Sequence, residues 1–144
     1  MQAVYAFTVG SDQATHVIET VIDGQMEDKE GRDFATKLFL KVLDQQEAAE
    51  KLVVEYTRNW ELSRIALVDR IVLRIAIVEM LHFPDIPPKV TINEAIEVAK
   101  KYSTERSGQF VNGILDAVLI DFRKQGLLKK SGRGLIGMEP AEKD

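Results

Sequence analysis

The sequence predicts an all-α fold, and three observations carry that expectation. Apolar residues recur at helical spacing, most clearly Phe34, Ala35, Leu38, Phe39, Val42 and Leu43, which form one stripe facing a core. No sustained alternation of apolar and polar residues bounded by turn signals marks a strand. Residues 64–82, "RIALVDRIVLRIAIVEMLH", are apolar on most sides, with 13 of the 17 residues from Ile65 to Leu81 apolar. A helix of that kind belongs at the centre of a bundle. It does not read as a membrane span, because Asp69, Arg70, Arg74 and Glu79 interrupt a stretch already short for a bilayer. Those four charges are expected on the one stripe that reaches the surface or a partner.

The elements follow in chain order. Residues 2–9 read as a short apolar helix ending at Gly10, and Ser11 and Asp12 can cap a second piece carrying Val17, Ile18, Val21 and Ile22. The polar run "DGQMEDKEG" reads as loop or frayed helix before the stripe that starts near Arg32. Asp44 stands three residues before Glu47, a capping-box spacing that predicts a break and a new helix bearing Leu52, Val53 and Tyr56. "TRNWELS" turns the chain, with Trp60 expected to plug the junction between helices. After the central helix, "FPDIPPKV" must be an extended connection, since proline blocks helix and restricts the residue before it. Thr91 and Glu94 then form a capping box for a helix burying Ile92, Ala95, Ile96, Val98 and Ala99. After "STER" a last helix runs to about Lys124. The helical domain is expected over residues 1–126, and the glycine-rich stretch 127–144 as a mostly irregular tail.

Composition narrows the chemistry. The 144 residues suit one domain with a core, and the absence of cysteine excludes disulfides, thiolate zinc sites and thiol nucleophiles. His16 and His82 lack metal-spaced partners, and no phosphate-binding glycine loop occurs, so neither metal, cofactor nor enzymatic activity is expected. The start "MQAVYAFTVG" lacks the basic n-region of a signal peptide, and a cytoplasmic location follows as the expectation. Net charge is −4 but uneven: residues 1–50 hold ten Asp/Glu against four Lys/Arg, while residues 100–134 hold eight Lys/Arg against three Asp/Glu. Aromatic residues beside Lys and Arg are the chemistry of single-stranded RNA recognition, because unstacked bases need a π surface and phosphates need cations. On spacing alone Phe110 fits plain core packing better.

"KVTINEAIEVAKKYSTERSGQFVNGILDAVL" resembles the NusB family of bacterial transcription antitermination factors, whose signature joins INEA-hydrophobic-E-A-K to FVNG-hydrophobic-LD. Upstream, "NWELSRIALVDRIVLRIAIVEM" is similar as well, and "QAVYAF" looks like the family's first helix. The resemblance spans about residues 2–124 and is most specific in its C-terminal half. It implies a NusB-like bundle of six to seven helices in two small subdomains. It implies a protein that binds boxA RNA together with NusE, a small-subunit ribosomal protein, and joins the RNA polymerase elongation complex on ribosomal RNA operons. Carried over by motif, Phe110 lies at the RNA surface, flanked by Arg106, Ser107 and Gln109, with Lys101, Gln2 and Tyr5 near the same surface. Asp69, with Arg70 and Glu79, falls at the partner face.

Two departures stand out. The family's arginine-rich segment ahead of the first helix is not seen in this sequence, where only Met1 precedes Gln2: the sequence is truncated, a longer native N-terminus was removed, or this member has lost the arm, and each lost phosphate contact implies weaker, less salt-dependent RNA binding. Arg106 stands where relatives often carry Asp; it can stack on bases or hold phosphates, and it can equally disturb a contact that the acid made with the partner. Two other readings fit the resemblance: a detached RNA-binding domain of a ribosomal RNA cytosine methyltransferase, and a helical scaffold that binds only protein. Family members occur as monomers and dimers, so a homodimer is compatible. The two glycines of "SGQFVNG" are expected to differ in role. Gly108 would open backbone N–H groups to phosphate, and Gly113 would let the last helix pack closely near Ala76.

Overall fold

The computed structural model describes residues 1–5, 28–60 and 65–137. The expected helix around Val17, the caps at Ser11 and Asp12, His16, and the far end of the tail lie outside the described residues. Within them the chain is helical, with no strand. A helical turn at residues 2–5 is followed by α1 (Lys29–Asp44), α2 (Gln46–Tyr56), α3 (Leu67–His82), α4 (Pro88–Tyr102) and α5 (Glu105–Lys124), then a 3₁₀ turn at Gly132–Leu135. None of these helices is long and apolar enough to cross a membrane.

α3 is the centre, as its composition requires. One stripe, Leu67, Ile71, Ile75 and Val78, packs with Ala3, Val4, Phe39, Val42 and Ala49. The opposite side, Val72, Leu73, Ala76, Ile77 and Met80, packs with Val53 of α2 and the apolar faces of α4 and α5. Two apolar clusters thus share one helix, which is why α3 is apolar nearly all round. Its charges do not form the expected surface stripe. Asp69, Arg74 and Glu79 are all buried, and each meets a partner inside the bundle. Arg70 and Arg74 both pair with Glu50 of α2, with Arg74 Nε 3.5 Å from Glu50 Oε2. Glu79 accepts a hydrogen bond from the Thr91 hydroxyl of α4. Charges interior to a fold persist where they are paired or hydrogen-bonded.

Several boundaries differ from the sequence reading for local reasons. α1 starts at Lys29, earlier than expected, because Asp28 caps it by accepting from the Gly31 N–H at 3.1 Å. The break after Asp44 is present, but no capping box makes it. Gln45 occupies the cap position of α2 without a side-chain bond to the helix, its Nε2 donating instead to Asp44. α4 begins at Pro88, not Thr91. Pro87 is extended and Pro88 takes the first helical position, where a missing N–H costs nothing. Thr91 is therefore inside the helix, free to turn its hydroxyl to Glu79. α5 ends at Lys124 as expected and starts at Glu105, inside the "STER" stretch expected to precede it. Thr104 caps it by accepting from Ser107 N–H at 3.1 Å, and Gly126 (φ +66°) ends it. There the Leu127 N–H reaches Phe122 O and the Gly126 N–H reaches Arg123 O, the paired bonds of a Schellman motif.

The tail is tied down as far as it is described. Ser131 N–H donates to Pro84 O, and Lys130 Nζ donates to Phe83 O at 2.8 Å. Gly134 is buried so close to Pro84 that a Cβ would run into the Pro84 carbonyl.

Candidate nucleic-acid interface

The first turns of α5, the turn after α2 and the start of α3 build one groove. Thr104 fixes the start of α5, so the residues from Arg106 onward have set directions around the helix. Ser107 and Gly108 turn inward, while Arg106 and Gln109 are exposed and Phe110 is half-buried. Phe110 meets Trp60 edge to face, with ring centroids 5.0 Å apart and planes at 77°. Phe110 also packs against the larger apolar cluster, so one side of its ring is core and the other is groove. Trp60 does not plug a helix junction: it is 54% exposed, because the turn after α2 carries it outward. The groove between them has a volume of about 960 Å³, and Asn59, Asp69, Arg106, Gln109 and Gly113 complete its lining.

Ser107 serves the interior. Its hydroxyl donates to Asp69 Oδ2 at 2.9 Å and lies 2.8 Å from Ser103 Oγ. Burial pushes the Asp69 carboxyl up from its ordinary range, and the Ser107 hydrogen bond pulls it back. Arg70 is half-exposed beside Glu50, whereas Asp69 and Glu79 lie below the surface. Glu79 is pushed up by burial as well, against the Thr91 hydrogen bond and the Lys130 charge, which lower it.

Gln2, Tyr5 and Lys101 gather elsewhere. Gln2 Nε2 donates to the Tyr102 hydroxyl at 2.8 Å, and Lys101 Nζ lies 5.3 Å from the centre of the Tyr102 ring. Tyr5 is exposed on the same N-terminal turn as Gln2. Gln2, Lys101 and Tyr102 border a second groove, between that turn, α1 and α4. The expected RNA residues are thus divided between two grooves, one at each flank of the α4–α5 connection through Ser103 and Thr104. Lys101 and Arg106 carry no ion pair among the described residues, while Lys100 sits within 4 Å of Glu97 and Glu105.

The two glycines behave differently from expectation. The Gly108 N–H is already bonded to Thr104 O, and a Cβ there would lie 2.6 Å from Lys100 Cγ, so this glycine admits the stem of Lys100. Gly113 has open space where a Cβ would go and does not pack on Ala76. Sequence reasoning missed Trp60 and Tyr102 as groove residues. Trp60 sits among polar neighbours in "TRNWELS", and that context is the signal for an exposed indole. Among the described residues no cluster of acidic residues and histidines could hold a metal ion.

An all-α domain that presents an aromatic and cationic groove is a binding module in class. The NusB family model matches residues 1–119. A transcription antitermination protein NusB from Salinibacter ruber is 50% identical over 130 residues, covering 90% of this chain and 79% of that protein. One of the same name from Chloroherpeton thalassium is 43% identical over 145 residues, covering all of this chain and 68% of its own length. Among solved structures, T. maritima NusB superposes with a TM-score of 0.73 at 36% identity over 83% of each chain. The chain belongs to the NusB family of transcription antitermination proteins, which are not enzymes.

Proposed function

We propose that the chain binds boxA-type RNA jointly with NusE and, within the RNA polymerase elongation complex, supports transcription of ribosomal RNA in the cytoplasm. The observation that carries the RNA part is the Trp60–Phe110 pair, half open to solvent, with Arg106 and Gln109 beside it. A base can stack on such a pair while the guanidinium holds a phosphate. Lys101 and Gln2, beside Tyr102, extend the path for the strand around the α4–α5 corner, with Tyr5 exposed on the same turn as Gln2. Ser107 supports the groove from below through Asp69. For the protein partner, Arg70 with Glu50 is the accessible part of the expected face; Glu79 backs the same helix from inside.

The test is retention of a boxA RNA at low salt by the chain, by NusE, and by the two together. The pair is expected to retain RNA at least tenfold more tightly than either protein alone. A pair that forms but retains no RNA would leave the protein-only scaffold as the correct reading.

A further inference from the structure

The chain past the end of α5 carries charge of one sign. Residues 122–137 hold five Lys/Arg (Arg123, Lys124, Lys129, Lys130 and Arg133) and no Asp/Glu. This stretch lies beyond the residues matched to the family, yet it is fixed to the bundle. Lys130 Nζ and the Ser131 N–H donate to the carbonyls of Phe83 and Pro84, Arg123 Nη2 donates to the Gly137 carbonyl at 3.2 Å, and Leu128 packs on the larger apolar cluster. Those contacts occupy Lys130 and Arg123. Lys124, Lys129 and Arg133 remain exposed, and none of the three has an ion pair among the described residues. Of the nearby acids, Glu79 and Asp85 act on Lys130, and Asp121 accepts from the Tyr56 hydroxyl. Cations held on a docked backbone without acidic partners make a surface of positive potential that draws anions.

An exposed line joins this surface to the Trp60–Phe110 groove. Along α5, Arg106, Gly113, Ala117, Ile120 and Lys124 recur at helical spacing and all are exposed. Gly113 and Ala117 keep the middle of the line low, with open space where a Gly113 side chain would stand. Asp116 stands to one side of it. α5 has 20 residues, a length of about 30 Å. About nine stacked nucleotides span that length at about 3.4 Å each.

We infer that residues 124–133 form a second RNA surface: Lys124, Lys129 and Arg133 hold phosphates of the strand that leaves the Trp60–Phe110 groove along α5, lengthening the footprint beyond the boxA element. The inference rests on the RNA reading above. Phosphate contacts carry no sequence information, so this surface takes flanking RNA of any sequence. Its exposed apolar neighbours, Leu135 and Ile136, are aliphatic and offer no π face, which leaves base stacking to the groove.

The experiment uses the full chain paired with NusE and measures anisotropy of labelled RNAs across a salt series. The probes are boxA RNA alone and boxA RNA extended by about ten uridines at its 5′ or its 3′ end, enough to span α5. Extension at one end is expected to tighten binding several-fold and to steepen the log–log salt slope by about 0.7 per added phosphate contact. Lys129→Gln combined with Arg133→Gln is the informative variant, because both side chains are exposed. It should erase the gain from extension and lower the slope for the extended RNA by about 1.4. Binding of boxA RNA alone, pairing with NusE and the thermal midpoint should stay unchanged. No gain from extension at either end overturns the inference and leaves the groove reading standing. So does a gain that survives the double variant, which would place the flanking strand on NusE. A double variant that no longer pairs with NusE also overturns it and makes this surface a protein-docking site. A natural pair that retains neither RNA overturns both readings.

Discussion

Phe110 is the residue at which the two demands of this protein meet. Its spacing along α5 fits a core position, and one side of its ring does pack there. Its other side faces Trp60 and the groove. Phe110→Ala should therefore weaken RNA retention by the NusE pair at least tenfold. Because the ring is only half-buried, the stability loss should stay below the roughly 3–5 kcal/mol of a fully buried phenylalanine. RNA retention and a denaturant titration on the same sample check both parts. Gly113 makes the opposite point. One turn on from Gln109, it reads as a packing glycine facing Ala76, yet nothing stands where its Cβ would be. Gly113→Ala should stabilise the chain by about 1 kcal/mol through helix propensity alone, read as a raised thermal midpoint; a fall would show a contact that the geometry lacks. Residue-level roles of this kind were poorly legible in the sequence. Periodicity says which side of a helix a residue occupies, not what the neighbouring turn brings to that side. Phe110 was placed at the surface only through its match to a family motif.

Helices were far more legible than their caps. The α1 stripe, the break after Asp44 and the end of α5 near Lys124 follow from periodicity and polar interruptions, while the caps at Thr104 and Gly126 emerge only in the structure. The Thr91 capping box failed because the spacing that suggests a cap also arises inside a helix. The partner that uses Thr91, Glu79, is twelve residues earlier on another element. The tail was the least legible segment, since apart from Leu128, which packs on the larger apolar cluster, it is held mainly by backbone and by the end of one lysine. Lys130 satisfies carbonyls at the C-terminal end of α3, a place where a cation is favoured by the helix dipole. Gly134 lets the 3₁₀ turn approach Pro84 closely. Gly134→Ala should detach this turn and cost about 1–3 kcal/mol, with faster amide exchange at Ser131, whose N–H bonds to Pro84 O. Unchanged exchange there would mean that the turn is held by other contacts.

At the scale of the molecule, α3 ties two apolar clusters together while carrying its charges inward. That arrangement has a pH signature. Burial raises the Glu79 carboxyl above its ordinary value of 4.5. The folded chain then keeps this proton at a pH where the unfolded chain has released it. The group's contribution to stability is full below about 4.5 and is lost as pH rises through the raised value. Glu79→Gln removes the effect, so the variant should gain stability relative to the natural chain as pH rises from about 4 to about 7. A difference that stays flat with pH would contradict the assignment. The global architecture was legible because an all-round apolar helix can only be central. The groove was not, because it joins Trp60 to Phe110, fifty residues apart in sequence, and only folding brings them together. The central claim is that RNA occupies this groove, and Trp60, the chain's one tryptophan, gives direct access to it. With fluorotryptophan incorporated, Trp60 yields a single fluorine resonance even beside unlabelled NusE. Adding boxA RNA to the pair should shift that resonance, and Phe110→Ala should abolish the shift. A resonance that does not move while RNA is retained would show that the strand binds elsewhere.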